Sequence, residues 1–292
     1  MSLRVTKVSG LATVQDLGRP GYAHEGVPAS GAADGLSLRL ANLVVGNDAD
    51  AAGVEVALGS ALFEAERACR VAINAGGRAF EAIEFDAGQA IVVTPESGLC
   101  RAYVALAGGI DVPPVLGSRA TLLGAGIGGL DGRALRVGDV LPVGDGGGRP
   151  RPVTMAIRAG LQYEIGRRVL RVVTDGAEAQ MPTGVMRVLR SSDRVGIRLA
   201  NSASAIREPI TAGRSRGVLH GTIQMPSPDE LVILGPDGPT TGGYPTVGTI
   251  IAADLPAVGQ LVPGQWVRFE VVSREEAIEI VRTQHDLLAR IN

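Results

Sequence analysis

Apolar residues in this chain come in short runs of four to seven, cut by glycine, proline, aspartate and asparagine. Runs at 68–73, 90–94, 102–107, 170–174, 231–234 and 266–272 are rich in Val, Ile and Leu. Short β-branched runs between tight-turn residues predict strands of an all-β barrel or sandwich. Two stretches follow a helical period instead. Residues 34–45 open on Asp34 as N-cap, place Leu36, Leu40 and Leu43 on one face, and stop at Gly46. Residues 273–291 open on the capping box Ser273-x-x-Glu276 and repeat apolar positions at Ala277, Ile280, Leu287 and Ile291.

A polar, Pro-containing stretch at 144–152, Gly-Asp-Gly-Gly-Gly-Arg-Pro-Arg-Pro, has the composition of a linker. It divides the chain into an expected first β domain at 1–145, a linker at 146–160, and a second β domain with a C-terminal helix at 161–292. Gly108-Gly109-Ile110 before Pro114-Val115-Leu116-Gly117-Ser118 is echoed by Gly242-Gly243-Tyr244 before Pro245-Thr246-Val247-Gly248-Thr249. The echo fits either two related β domains or chance in a Gly-rich chain.

The length, 292 residues, and a hydrophobic share of 45% suffice for two cores. A net charge of −2 without a basic stripe argues against nucleic acid as partner. No leader-like apolar segment opens the sequence, and no apolar run approaches the ~20 residues of a membrane span. A cytoplasmic location is therefore expected. Cys69 and Cys100 sit singly in strand-like segments and are expected as buried, reduced thiols.

Lys7 is the only lysine, so the chain has no Gly-Lys-Ser/Thr phosphate loop and no Met-Lys-Met biotin carrier site. Three histidines without CxxC or HExxH spacing predict no metal site. No Gly-x-Ser-x-Gly elbow is present.

The chemistry concentrates in two motifs, Val14-Gln15-Asp16-Leu17-Gly18-Arg19-Pro20-Gly21-Tyr22 and Thr240-Thr241-Gly242-Gly243-Tyr244-Pro245. Each sets polar side chains among residues that force a turn, as loops holding functional groups over a scaffold do. Arg194 and Arg198 share one face at either helical or strand spacing, and read as an anion clamp or as a surface ion pair of Asp193 with Arg194. Thr241, Gly242, Gly243 and Tyr244 read as a substrate loop or a hairpin turn. Asp254 reads as a strand-end acid facing a cleft or as a turn cap. Ser215 and Gln224 suit either a ligand or buried backbone. His220 and His24 are candidate bases or surface residues. In the first half, Asp16 and Arg19 are expected to pair with each other and with turn amides. Asp34 is expected to cap a helix, and Asn42 to bond turn backbone. Glu55, a lone acid in an apolar run, is expected to lie beside Arg19, because a buried carboxylate requires a partner.

In order along the chain, Gln15-Asp16-x-Gly18-Arg19-x-Gly21, Gly26-Val27-Pro28-x-Ser30-Gly31-Ala32-x-Asp34, Tyr103-Val104-Ala105-x-Ala107-Gly108-Gly109, Leu116-Gly117-Ser118-Arg119, Ser192-Asp193-Arg194-x-Gly196-x-Arg198-Leu199, Gly221-Thr222-Ile223-Gln224-x-Pro226 and Thr241-Gly242-Gly243-Tyr244-Pro245 resemble the subunit-C family of bacterial 5-oxoprolinase. That family is also described as allophanate-hydrolase-subunit-2-like, or as the biotin-dependent carboxyltransferase domain found in urea carboxylase. The resemblance covers residues 3–275 and departs from the family at Ser227-Pro228-Asp229-Glu230, where a Gly-x-Pro turn is usual. It implies two tandem cyclophilin-like β-barrel domains in a mainly β chain.

It further implies a non-autonomous subunit of an ATP-dependent complex that opens the lactam of 5-oxoproline to glutamate. Its partners there would be a subunit-B-like (allophanate-hydrolase-subunit-1-like) protein and a large subunit-A protein. The resemblance also leaves open a carboxyltransferase acting on urea-like amides with biotin carried on another chain, and a regulatory protein that controls a sensor kinase through its subunit-B-like partner. No covalently bound cofactor is expected. Under the lactam reading, Tyr244, Asp254 and His220 are catalytic candidates. Arg194, Arg198, Ser215, Gln224, Thr241, Gly242 and Gly243 are substrate-binding candidates, and Asp16, Arg19, Asp34, Asn42 and Glu55 form a structural polar network.

Overall fold

The computed structural model describes residues 2–74, 81–154, 156–157, 159–161, 168–174, 181–182, 184–201 and 213–291. The chain forms two compact units. The first comprises residues 1–19, 30–162 and 287–292; the second comprises 20–29 and 163–286. The mainly β expectation holds, with few helices and one of them C-terminal.

The first unit is a curled seven-stranded sheet in the order β4-β3-β6-β2-β1-β7, with β5 added to β2. Its strands are β1 (Ser2–Gln15), β2 (Gly53–Ala65), β3 (Cys69–Asn74), β4 (Ile83–Phe85), β5 (Ala90–Val93), β6 (Arg101–Leu106) and β7 (Val140–Pro142). β2 carries the curl. One edge pairs with β1 along its length, while the other pairs first with β6 and then with β5. The change of partner falls at Leu58 (φ 52°), opposite Gly10 (φ 87°). A Cβ at Gly59 would stand 1.9 Å from the Ser9 carbonyl oxygen, so the bend requires glycine there. Leu3, Val5, Val14, Val54, Val56, Phe63, Val71, Ile91, Val104 and Leu141 fill the core with no exposed surface. Each such side chain contributes about 1.5–3 kcal/mol on leaving water.

Helix α1 (Gly35–Val45) packs on β3 and β6. Its ends are those the sequence predicts. The Asp34 carboxylate accepts from Ser37 N (2.9 Å) and Ser37 Oγ (2.6 Å), and Gly46 closes the helix at φ 87°.

Residues 144–151 differ from a free linker. Gly144 N bonds Gly109 O, Gly148 N bonds Gly46 O, and Arg151 N bonds Leu43 O, so this stretch is tied to the first unit. Its glycines serve close approach: a Cβ at Gly147 would meet Ala107 Cβ at 2.7 Å.

The second unit contains a closed seven-stranded barrel. Its strands are β8 (Val169–Val173), β9 (Met186–Val188), β10 (Gly196–Asn201), β12 (Thr222–Ser227), β13 (Glu230–Leu234), β15 (Thr246–Ile250) and β16 (Trp266–Val271). The closing pair β16–β8 is parallel; the others are antiparallel. Leu170, Val172, Leu199, Ile223, Ile233 and Val247 fill its interior. Outside the barrel lies a small ribbon, β11 (Arg216–Gly217) with β14 (Thr241–Gly242). A 3₁₀ turn (Ala252–Asp254) leads into α2 (Leu255–Gly259). The C-terminal helix α3 (Arg274–Ala289) starts on the predicted capping box, with Glu276 N donating to Ser273 Oγ and Ser273 N donating to the Glu276 carboxylate.

Candidate functional site

Among the described residues, buried polar groups gather in three places, and their bonding separates scaffold from candidate site. The first lies in the first unit. Asp16 follows β1, and its carboxylate accepts from Gly18 N (2.7 Å), Ser118 Oγ (2.6 Å) and Arg119 N (2.5 Å). Arg19, only 1% exposed, donates to the carbonyl oxygens of Val115 and Ala120. Asn42 donates to Ala51 O at 2.6 Å. Glu55, 1% exposed, accepts from Ala33 N (2.9 Å) and Tyr103 Oη (2.7 Å) and pairs with Arg101 (3.3 Å). The expectation placed Glu55 beside Arg19; the ion pair here is with Arg101, two residues before Tyr103 on the adjacent strand β6. Burial, followed by the Glu55 and Asp34 carboxylates, drives the Tyr103 phenol well above its ordinary pKa, so it remains a donor.

The second gathering consists of ion pairs in the second unit. Asp254 is fully buried, and its carboxylate accepts from Arg171 N (2.6 Å) and from both Nε and Nη2 of Arg171. Its acid is turned to a cation 83 residues earlier in the chain rather than to a cleft. Arg194 and Asp237 form a two-pronged pair at 2.8 and 2.9 Å, with 5% and 6% of their side chains exposed. Asp193 does not supply that pair; it caps the turn through Val195 N and Gly196 N. Arg198 is exposed and reaches Glu230 at 2.7 Å. The two arginines expected to clamp an anion therefore each hold a carboxylate of this chain. His220 lies in the field of Arg194 and Asp237. Burial, then Arg194, lowers its pKa from 6.5 to about 4. A neutral ring of that pKa suits hydrogen bonding better than taking protons near pH 7. His24 is exposed beside Glu25.

The third gathering is a seam between the barrel wall and the small ribbon. Ile223 and Val247 face the barrel core, so their neighbours Gln224 and Thr246 face outward. Gln224 and Thr246 are cross-strand partners on β12 and β15. Gln224 is 4% exposed, yet its Nε2 has no hydrogen-bond partner, and neither has the buried Thr246 Oγ1. An unsatisfied buried polar group costs about 1–3 kcal/mol, so the pair is expensive as structure alone. The ribbon roofs Gln224: a Cβ on Gly242 would stand 2.3 Å from its Nε2. Backbone bonds Val218 N to Thr240 O, Gly213 N to Gly243 O and Met225 N to Pro245 O hold the roof. Around it, Ser215, Arg216 and Thr241 are exposed, and Tyr244 is half exposed. Arg216 stands directly across from Gly242.

Thus the structure brings Gln224, Thr241, Gly242, Gly243 and Tyr244 into one neighbourhood with Ser215, and places Arg194, Asp254 and His220 in or beside buried ion pairs. Two residues here, Arg216 and Thr246, were not among those singled out from sequence. The Arg214-Ser215-Arg216 alternation was the available signal for the first. The register of β12 against β15, which sequence does not display, sets the second. Among the described residues no group of three or more His, Cys, Asp or Glu side chains converges as a metal site. Cys69 and Cys100 are free and buried, and burial pushes both thiols up.

A mainly β chain with this closed barrel has a carboxyltransferase-type scaffold. The chain belongs to the carboxyltransferase domain family, subdomains A and B, whose model matches residues 25–271. Its relatives include the 5-oxoprolinase subunit-C protein of Escherichia coli (strain K12), 34% identical over 97% of this chain and 95% of that protein. They also include the urea amidolyase of Lachancea kluyveri, 31% identical over 97% of this chain but 18% of that much longer protein. Among solved structures, the K. lactis urea amidolyase superimposes over all of this chain and 20% of its own length, with a TM-score of 0.87 and 27% identity.

Proposed function

We propose that this chain is a subunit of a 5-oxoprolinase-type amidohydrolase, and that its substrate is a small cyclic amide. The observation that carries this reading is the end-to-end likeness to the E. coli subunit-C protein, which leaves little of either chain unmatched. Lactam opening breaks the ring C–N bond. Water adds its oxygen to the carbonyl carbon, and a proton goes to the departing nitrogen. The reaction needs a donor at the carbonyl oxygen, a cation for the substrate carboxylate and an acid for the nitrogen. On the ribbon face, Gln224 supplies an amide donor, Arg216 a guanidinium that matches a carboxylate fork, and Tyr244 a phenol. Asp254 and Arg194, held in buried ion pairs, serve as structural braces of the second unit.

The chain lacks a Gly-Lys-Ser/Thr loop, and in this reading it works in an ATP-using cytoplasmic complex with a subunit-A protein and a subunit-B-like protein. The test is 5-oxoproline-dependent ATP hydrolysis and glutamate release by the reconstituted complex, with each component omitted in turn. Glutamate formation that requires this chain supports the reading; an unchanged rate without it removes it. A second reading, carboxyl transfer from biotin carried on another chain to a urea-like nitrogen, draws on the fold match to the K. lactis urea amidolyase. Carboxybiotin-dependent consumption of urea, absent with 5-oxoproline, would put that reading first.

A further inference from the structure

We propose that Gln224 and Thr246 form a subsite for the edge of a cis amide, and that Thr246 selects ligands bearing a free N–H. The inference rests on the amide-substrate reading above and specifies how such a substrate is recognised. Three observations meet here. The two residues oppose each other on β12 and β15, and directly opposed side chains on one face have Cβ atoms about 4.5–5.5 Å apart. Both polar atoms are buried without a partner. Gly242 lies over Gln224 without a side chain, and a Cβ there would occupy the space of Gln224 Nε2.

Gln224 Nε2 can only donate, whereas the Thr246 hydroxyl can accept. Side by side, they complement a carbonyl oxygen next to an N–H. An open-chain secondary amide is trans and presents those groups on opposite edges. A five-membered lactam or cyclic urea is held cis and presents both on one edge. The subsite thus favours ring amides by geometry, with Gln224 reading the carbonyl and Thr246 reading the N–H. Entry requires the ribbon to lift. Its ladder is short, Arg216 with Gly242 and Gly217 with Thr241, and lifting it from the wall breaks the Met225 N–Pro245 O bond.

The probes are 2-pyrrolidone, N-methyl-2-pyrrolidone and 2-imidazolidinone, titrated into the full chain by ligand-observed NMR. For Thr246→Val, 2-pyrrolidone binding is expected to weaken about three- to tenfold, the range of one hydrogen bond, while Thr246→Ser retains it. N-methyl-2-pyrrolidone, which keeps the carbonyl and lacks the N–H, should bind wild type and Thr246→Val equally. The melting temperature of Thr246→Val should stay level or rise, because the valine removes an unpaired hydroxyl. Unchanged 2-pyrrolidone affinity in Thr246→Val overturns the proposal, as does an equal loss for the methylated lactam. A preference between 2-pyrrolidone and 2-imidazolidinone, with the same Thr246 dependence, supports the subsite and tells whether a lactam or a ureido ring is its ligand. Glutamate release by the reconstituted complex is scored separately. Its absence with Thr246-dependent binding intact removes lactam hydrolysis and keeps the subsite.

Discussion

Glu55 and Gln224 are both buried, and they are bonded in opposite ways. Glu55 meets a backbone N–H, a phenol and a guanidinium, so its carboxylate is compensated on all sides. Gln224 and Thr246 each leave a polar atom unanswered. Completed networks fix a fold; incomplete ones store the capacity to bond something else. The contrast is one of degree, since Gln15 Oε1 in the first unit also lacks a partner while its amide nitrogen bonds Thr13 and Thr121. What distinguishes the seam is that two unanswered atoms belong to residues opposed across neighbouring strands, with Gly242 over Gln224.

The sharpest way to break the comparison is to remove a carboxylate from a completed pair. Glu55→Ala strands Arg101, and Asp254→Ala strands Arg171. Each should cost about 3–5 kcal/mol in a denaturant titration, because a buried charge loses its partner. A cost near zero for either would place it with the seam rather than with the scaffold.

His220 tests the same contrast by pH. The unfolded imidazole titrates near 6.5 and the folded one at about 4, so the unfolded chain binds the proton more readily between those values. The His220 contribution to stability is therefore full above pH 6.5 and falls as the pH drops toward 4, by up to about 3 kcal/mol. Denaturant midpoints at pH 7, 5.5 and 4 should show that slope, and His220→Asn should flatten it.

A smaller effect on folding but a large one on turnover is expected for Gly242→Ala. The added methyl displaces the Gln224 amide, at about 1–2 kcal/mol of overpacking, while lactam turnover falls tenfold or more. Equal losses for Gly242→Ala and Gly217→Ala, which meets open space, would make the roof merely structural. The smallest effect belongs to Arg198→Ala, whose exposed pair with Glu230 contributes about 0–1 kcal/mol.

Local signals were legible in the sequence and distant partners were not. The Asp34 cap, the Gly46 stop and the Ser273–Glu276 box act within a few residues, and each stands where the sequence places it. The strand-rich pattern likewise pointed to the fold class. The 144–151 segment read as a linker because composition alone does not reveal that its backbone bonds Leu43, Gly46 and Gly109. Asp254 read as a cleft acid or a turn cap, and its buried partner Arg171 was not foreseen because it lies 83 residues away in sequence. Of the candidate site, the Gly242–Tyr244 loop and Gln224 were visible as motifs. Their juxtaposition with Thr246 and Arg216 depends on strand register.

The barrel is closed by its last strand, β16, lying parallel to its first, β8. Nearly the whole second unit must therefore exist before the wall is continuous. During synthesis, β8 waits with one edge unpaired until Trp266–Val271 has left the ribosome. Such late, long-range closure is slow and leaves an edge open to wrong partners. A ribosome stalled before residue 266 should thus hold an unclosed, protease-sensitive barrel, and emergence of β16 should act as the step that seals it.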